Sequence, residues 1–217
     1  MISADALCFD LDGTLIDSAD DLVEATRHSI RGLGIDPPPP EVIISHVGGG
    51  ARGLLESSLG DAATPERLEA GLAAFLDYYG AHLLDHTRAY PGVEEVLKHF
   101  AASRPLAVVT NKPETFSRTI IEGLGLTGYF RDILGYDSVE RKKPDPEGIL
   151  RVLQGWDVEP AQAVMVGDSP HDIMAGKAAG TVTVAAAYGF KPLAELTAAG
   201  PDYLIHDILE LLAIVAP

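Results

Sequence analysis

The chain has 217 residues, 47% of them apolar, which suffices for one large domain or for a medium domain carrying a smaller insertion. Its formal net charge of -16, from 32 acidic residues against 16 Lys and Arg, argues against a nucleic-acid partner, because neutralising a phosphate backbone needs clustered cations. A single cysteine, Cys8, leaves no disulfide framework or Cys/His metal pattern; with no basic, apolar leader and no run of about 18 apolar residues, a cytoplasmic protein with no membrane partner is expected.

In chain order, the first element is the apolar run ALCF at residues 6–9, a buried strand that ends in Asp10-Leu11-Asp12-Gly13-Thr14. From Asp17 to about Arg88 the pattern becomes helical. Ser18 and Asp21 form a capping-box-like start, and Leu22, Val23, Thr26 and Ile30 share one face. Pro37 to Pro40 interrupt it, Val42 to Ile44 is compatible with helix or strand, and Thr64-Pro65 opens a longer helix with Leu68, Leu72, Phe75, Leu76, Tyr79 and Leu83 on one stripe. These patterns predict a small helical bundle over residues 17–87, inserted into an α/β core built from 1–16 and 88–217.

Beyond the insertion, the strand-like runs LAVV, DILG, AVMV, TVTVA and DYLI alternate with helical stretches. The helices are expected over Val93–Ala102, Thr115–Leu124, Pro146–Leu153, Asp172–Ala179 and Pro192–Ala199. Such alternation predicts an α/β fold, a Rossmann-like and mainly parallel sheet with helices on both faces.

In a sheet of that kind, ligands bind beyond the carboxyl ends of the strands. After ALCF come Asp10, Asp12, Gly13 and Thr14; after LAVV, Thr110, Asn111 and Lys112; after AVMV, Gly167, Asp168, Ser169 and Asp172. A further polar group, Arg141 to Pro146, follows the DILG run. Two like charges about 4 Å apart repel by roughly 4 kcal/mol at an effective dielectric of ~20, so clustered carboxylates need protonation or a cation. Hard oxygen donors suit Mg2+, which commonly bridges to a substrate phosphate. With the charge compensated, one carboxylate can attack a phosphoryl group, and a second, two residues away, can move the proton.

The motifs DxDGT at Asp10 to Thr14, Thr110-Asn111, Lys143-Pro144 and GDSxxD at Gly167 to Asp172 resemble, in that order, those of the haloacid-dehalogenase-like hydrolases. Within that superfamily FDLDGTLIDS, VVTNKP, KKPDP and VGDSPHDI look most like the phosphoglycolate phosphatase branch. The resemblance implies a catalytic core over 1–16 and 88–217 with the inserted bundle, 17–87, as its α-helical cap, and a Mg2+-dependent phosphatase acting on a small phosphorylated metabolite, with 2-phosphoglycolate as the leading candidate, in a monomer or homodimer. It implies Asp10 as nucleophile, Asp12 as general acid and base, and Lys143 as the cation that neutralises the phosphate. Leu11, Gly13, Thr110 and Asn111 would bind phosphate oxygens; Asp10, Asp12 through its carbonyl, Asp168 and Asp172 would serve the metal. Another sugar phosphate, a nucleoside monophosphate or pyrophosphate is the alternative substrate; a sugar phosphomutase and a non-catalytic phosphate-binding protein are more distant readings.

Three residues stand apart from the motifs. Lys112 suits the surface as well as the pocket, and His171 stands where the resembled pattern often has Asn. In VGGGARGLLE, Val47 to Glu56, Arg52 is the candidate to pair with a substrate carboxylate.

Overall fold

The structure, a computed structural model, describes residues 1–216. It contains two compact units, Met1–Asp17 with Ala89–Pro217, and Ser18–Arg88.

The first unit is built on six parallel strands. They are β1 (Ala6–Phe9), β4 (Leu106–Val109), β5 (Asp132–Leu134), β6 (Ala163–Gly167), β7 (Val182–Ala186) and β8 (Tyr203–Ile205), in the order β5-β4-β1-β6-β7-β8. Two further short strands, β2 (Ile16–Asp17) and β3 (Arg88–Ala89), form a separate two-stranded sheet where the chain leaves and rejoins this unit. Every residue of β1, β4 and β6 is buried, as expected for parallel strands covered on both faces. Alternate residues divide the core. Ala6 and Cys8 of β1, Ala107 and Val109 of β4, and Ala163 and Met165 of β6 pack with Ile149, Val152 and Leu153 of α7 (Glu147–Trp156) and Ala175 and Ala179 of α8 (Pro170–Ala179).

The intervening side chains Leu7, Phe9, Leu106, Val108, Val164 and Val166 point to the opposite face and are equally buried. Burying each Leu, Val or Phe side chain contributes about 1.5–3 kcal/mol, so this two-sided core fixes β1 centrally and with it the position of Asp10. The remaining helices of the unit are α5 (Val93–Ala101), α6 (Glu114–Gly123), α9 (Leu193–Ala199) and α10 (Leu211–Ile214). Helix α7 runs three residues past its expected end, to Trp156, and closes on Asp157 in the left-handed region at φ 58°. A carboxylate side chain tolerates that conformation better than most.

The second unit holds α1 (Ala19–Gly32), α2 (Pro40–Ser45), α3 (Gly50–Leu59) and α4 (Pro65–Ala81). The ambiguous Val42–Ile44 lies within α2, where Pro40 occupies the first turn that suits it. Thr64 caps α4 as expected, its hydroxyl accepting the Arg67 amide at 3.3 Å. Helices α1 and α4 approach closely at Gly71, whose carbonyl accepts the Ser29 hydroxyl at 2.7 Å.

The expected cap on α1 is not formed, since Ser18 makes no side-chain capping bond. Asp21, the acid three residues on, is engaged elsewhere: it accepts the amides of His86 and Thr87 at 2.9 Å each and the Thr87 hydroxyl at 2.7 Å. Several donors thus satisfy this buried carboxylate at the start of a helix. Among the described residues no helix is long and apolar enough to cross a membrane.

Candidate active site

Because β1 lies between β4 and β6, the segments that follow these three strands emerge side by side. That topology brings together Asp10 and Asp12 after β1, Thr110 to Lys112 after β4, and Asp168 to Asp172 after β6. Lys143 arrives from farther along the sheet, on the segment between edge strand β5 and α7. Asp10, Thr110, Asn111, Lys112, Lys143, Asp168 and Asp172 are all buried.

Lys143 is the hub. Its Nζ lies 2.9 Å from Asp10 Oδ1 and 2.5 Å from Asp172 Oδ1. The second oxygen of Asp172 accepts the Ser169 amide at 3.0 Å and the Ser169 hydroxyl at 2.7 Å in a capping box on α8. One carboxylate thus both caps a helix and holds the lysine. Asn111 Nδ2 donates to the Lys143 carbonyl at 3.0 Å, tying the second motif to the third. Glu147 takes the Glu140 and Arg141 amides at 2.8 and 3.1 Å, which anchors the same segment from the start of α7.

Asp12 is held separately. Its Oδ1 meets Lys112 Nζ at 2.7 Å, with the lysine side chain only 4% exposed, so Lys112 belongs to the site and not to the surface. Asp10 Oδ1 also accepts the Leu11 amide at 2.7 Å. The two acids of the first motif therefore have different cationic partners, a physical basis for different roles.

The carboxylates are costly where they stand. Burial pushes the Asp10 carboxyl above its ordinary value, and Asp172 adds to this against the opposing pull of Lys143. Burial, then Asp172 and Asp10, raise Asp168 further still. For Lys143, burial acts to lower the ammonium, but the charges and hydrogen bonds of Asp10 and Asp172 prevail and hold it above its usual value. Asp10, Asp168 and Asp172 each offer an oxygen within 4.8 Å of the others, a buried all-oxygen set that fits a hard divalent cation of the Mg2+ class. Mutual repulsion among these three carboxylates is a cost that a bound cation would relieve.

Two glycines make the close approach feasible. Gly13 has φ +76°, and a Cβ there would fall 2.1 Å from Asp168 Oδ2. Gly189 leaves room for the same side chain, since its Cβ would lie 2.3 Å from Asp168 Cβ. Gly13→Ala should therefore cost about 1–2 kcal/mol from the left-handed backbone alone and displace Asp168 besides. Urea unfolding together with turnover would check this; a variant with unchanged stability and activity would contradict it.

The loop Tyr188-Gly189-Phe190 packs against the core, as its sequence suggests, and in addition supports the site. The Phe190 amide donates to Asp168 Oδ2 at 2.7 Å, and the Tyr188 hydroxyl donates to the Thr14 carbonyl at 2.9 Å. The available signal was its position just past β7, the next strand end along the sheet. His171 is half-buried with its Nδ1 unpartnered, and burial lowers its pKa, so it adds no cation here. Arg52 lies on α3 in the second unit, where Nη2 meets Glu69 Oε1 at 2.5 Å.

Comparison with known proteins agrees with this geometry. Residues 7–186 match the family model described as haloacid dehalogenase-like hydrolase. A phosphoglycolate phosphatase of Chromobacterium violaceum is 38% identical over 211 residues, covering 95% of this chain and 94% of that protein. One from Aquifex aeolicus is 37% identical, with 95% of each chain covered. Among solved structures, that of a predicted phosphoglycolate phosphatase from Haemophilus somnus superposes with a TM-score of 0.90 at 28% identity, over 99% of both chains. Together with the four strand-end motifs, these likenesses establish that the chain belongs to the haloacid dehalogenase-like hydrolases.

Proposed function

We propose that this protein is a phosphatase that hydrolyses a small phosphomonoester through an aspartyl-phosphate on Asp10, with 2-phosphoglycolate as its preferred substrate. The observation that carries the reading is the separation of the two acids, Asp10 on Lys143 and Asp12 on Lys112. The names of the relatives favour 2-phosphoglycolate over other esters.

The Leu11 amide and Lys143 Nζ both meet Asp10 at Oδ1, which leaves Oδ2 to attack phosphorus. In the first step the Asp10 Oδ2–P bond forms, the ester P–O bond breaks, and the Asp12 carboxyl gives its proton to the departing alkoxide. In the second step Asp12 takes a proton from water as that water attacks phosphorus, and Asp10 is released with inorganic phosphate. Lys143 stays beside Asp10 throughout, countering charge on the phosphoryl oxygens, with backbone amides of the Asp10 to Thr14 turn and the Thr110 hydroxyl as further donors. Mg2+ held by Asp10, Asp168 and Asp172, with the Asp12 carbonyl, would supply additional positive charge to the phosphoryl oxygens. Lys112 keeps the Asp12 carboxylate oriented, and Asp172 keeps Lys143 from swinging away.

A phosphate-release screen with Mg2+ or EDTA over 2-phosphoglycolate, sugar phosphates, a nucleoside monophosphate and pyrophosphate tests the proposal. We expect release only with Mg2+ and the highest kcat/KM for 2-phosphoglycolate. Equal turnover in EDTA would overturn the metal-assisted chemistry. A sugar phosphate ranking first would overturn the substrate while leaving the chemistry intact.

Arg52 is the proposed anchor of the substrate carboxylate. Its pair with Glu69 joins two exposed side chains, 47% and 66% exposed, and such pairs are weak enough to exchange partners. Arg52→Ala should raise KM for carboxylate-bearing esters by roughly ten-fold, one charge-assisted hydrogen bond, and change KM little for neutral ones. Equal effects on both kinds of substrate would assign Arg52 to the packing of α3 instead.

A further inference from the structure

A cavity of about 520 Å³ opens at the edge of the sheet, beside β5, and none of its lining belongs to the Asp10 centre. Its walls come from α6, β5 and α7, and three arginines converge on it: Arg118, Arg131 and Arg151. On a chain with 16 Lys and Arg and a net charge of -16, three guanidinium groups against the two acids Glu114 and Asp132 leave this hollow with a slight positive excess. The volume falls in the range of small-molecule sites.

The acids of the lining are already engaged. Glu114 accepts from Arg118 Nε at 2.7 Å and from the Ser138 hydroxyl, and Asp132 Oδ2 accepts the Trp156 indole N–H at 2.7 Å. Arg118 also donates to the Ile133 carbonyl at 3.1 Å, and Arg151 donates to the Ser138 carbonyl. Those bonds use two of the five N–H donors of Arg118 and one of those of Arg151. The Arg131 guanidinium lies 5.7 Å from the centre of the Trp156 ring, held by the aromatic face and not by a carboxylate. Donor capacity in the hollow thus exceeds the acceptors that the protein supplies.

From this surplus we propose that the cavity binds a small organic anion, carrying a phosphate or several carboxylates, at a site separate from the catalytic one. Planar guanidinium forks suit both oxyanion types. The surrounding Ile133, Leu134 and Val152 give the ligand's carbon frame an apolar wall.

Trp156 is the only tryptophan of the chain, so its fluorescence reports directly on this hollow. The full-length Asp10→Asn variant, in EDTA and at low salt, would be titrated with glycerol 3-phosphate, with citrate, and with neutral glycerol, reading Trp156 emission and calorimetric heat in parallel. We expect saturable binding of one or both anions and none of glycerol; the anion that binds identifies the group recognised. Arg131→Gln and Arg151→Gln, both at exposed positions, should each weaken the binding by about ten-fold. Absence of saturable heat with either anion, or affinities unchanged in folded forms of both arginine variants, would overturn the site. Because turnover is not involved, failure here leaves the phosphatase proposal untouched, and the reverse also holds.

Discussion

Asp10→Asn should lower kcat by at least roughly 10^4-fold, as expected when a covalent nucleophile is removed from a set that acts as a unit. The substitution is chosen to preserve everything else. The Asn carbonyl can still accept the Leu11 amide, and Lys143 keeps Asp172 at 2.5 Å. Acid-quenched wild-type enzyme, incubated with labelled substrate, should carry a hydroxylamine-sensitive phosphoryl label that the variant lacks. Asp12→Asn should behave differently, losing a factor of about 10^2–10^4 while the label accumulates, because removal of the base slows release from Asp10. A variant at position 10 retaining more than about a hundredth of wild-type turnover would exclude the nucleophile assignment.

The site residues at the strand ends were legible in the sequence for a topological reason. Apolar runs mark strands, a parallel sheet places their carboxyl ends on one edge, and Asp10, Thr110 and Asp168 follow three such runs directly. Lys143 was legible only through its motif, since it reaches the centre from a segment beyond the edge strand.

What could not be read were contacts between segments far apart in the chain. Lys112 and Asp12 are separated by 100 positions, and nothing in either motif states that one ammonium will meet that particular carboxylate. The Phe190 amide on Asp168, 22 positions away, is a support of the same kind. At Ser18 the local rule gave the wrong partner. A capping box was expected from spacing alone, but Asp21 answers donors at His86 and Thr87, about 65 residues away, and that longer-range satisfaction prevails.

Asp168→Asn should make the metal-free protein more stable while removing most of its activity. Asp168 is buried to 3% exposure, and the Phe190 amide that donates to its Oδ2 at 2.7 Å can be accepted equally by an Asn carbonyl. Its pKa stands well above the usual carboxylate range because of burial, with Asp172 and Asp10 adding repulsion. A carboxyl whose folded value is raised binds its proton more tightly in the native state. Its favourable contribution is fully present below the ordinary unfolded value and is lost as pH rises through the folded one. In EDTA the variant's advantage in Tm should therefore be absent at acid pH, grow as pH rises through that window, and reach on the order of a few degrees. Mg2+ should reverse the ranking, since binding to the native state alone stabilises by mass action and the variant lacks one of the three buried oxygen donors. A variant less stable than wild type in EDTA at every pH would mean that Asp168 is held by favourable interactions of the fold itself, and that no cation is needed to account for its place there.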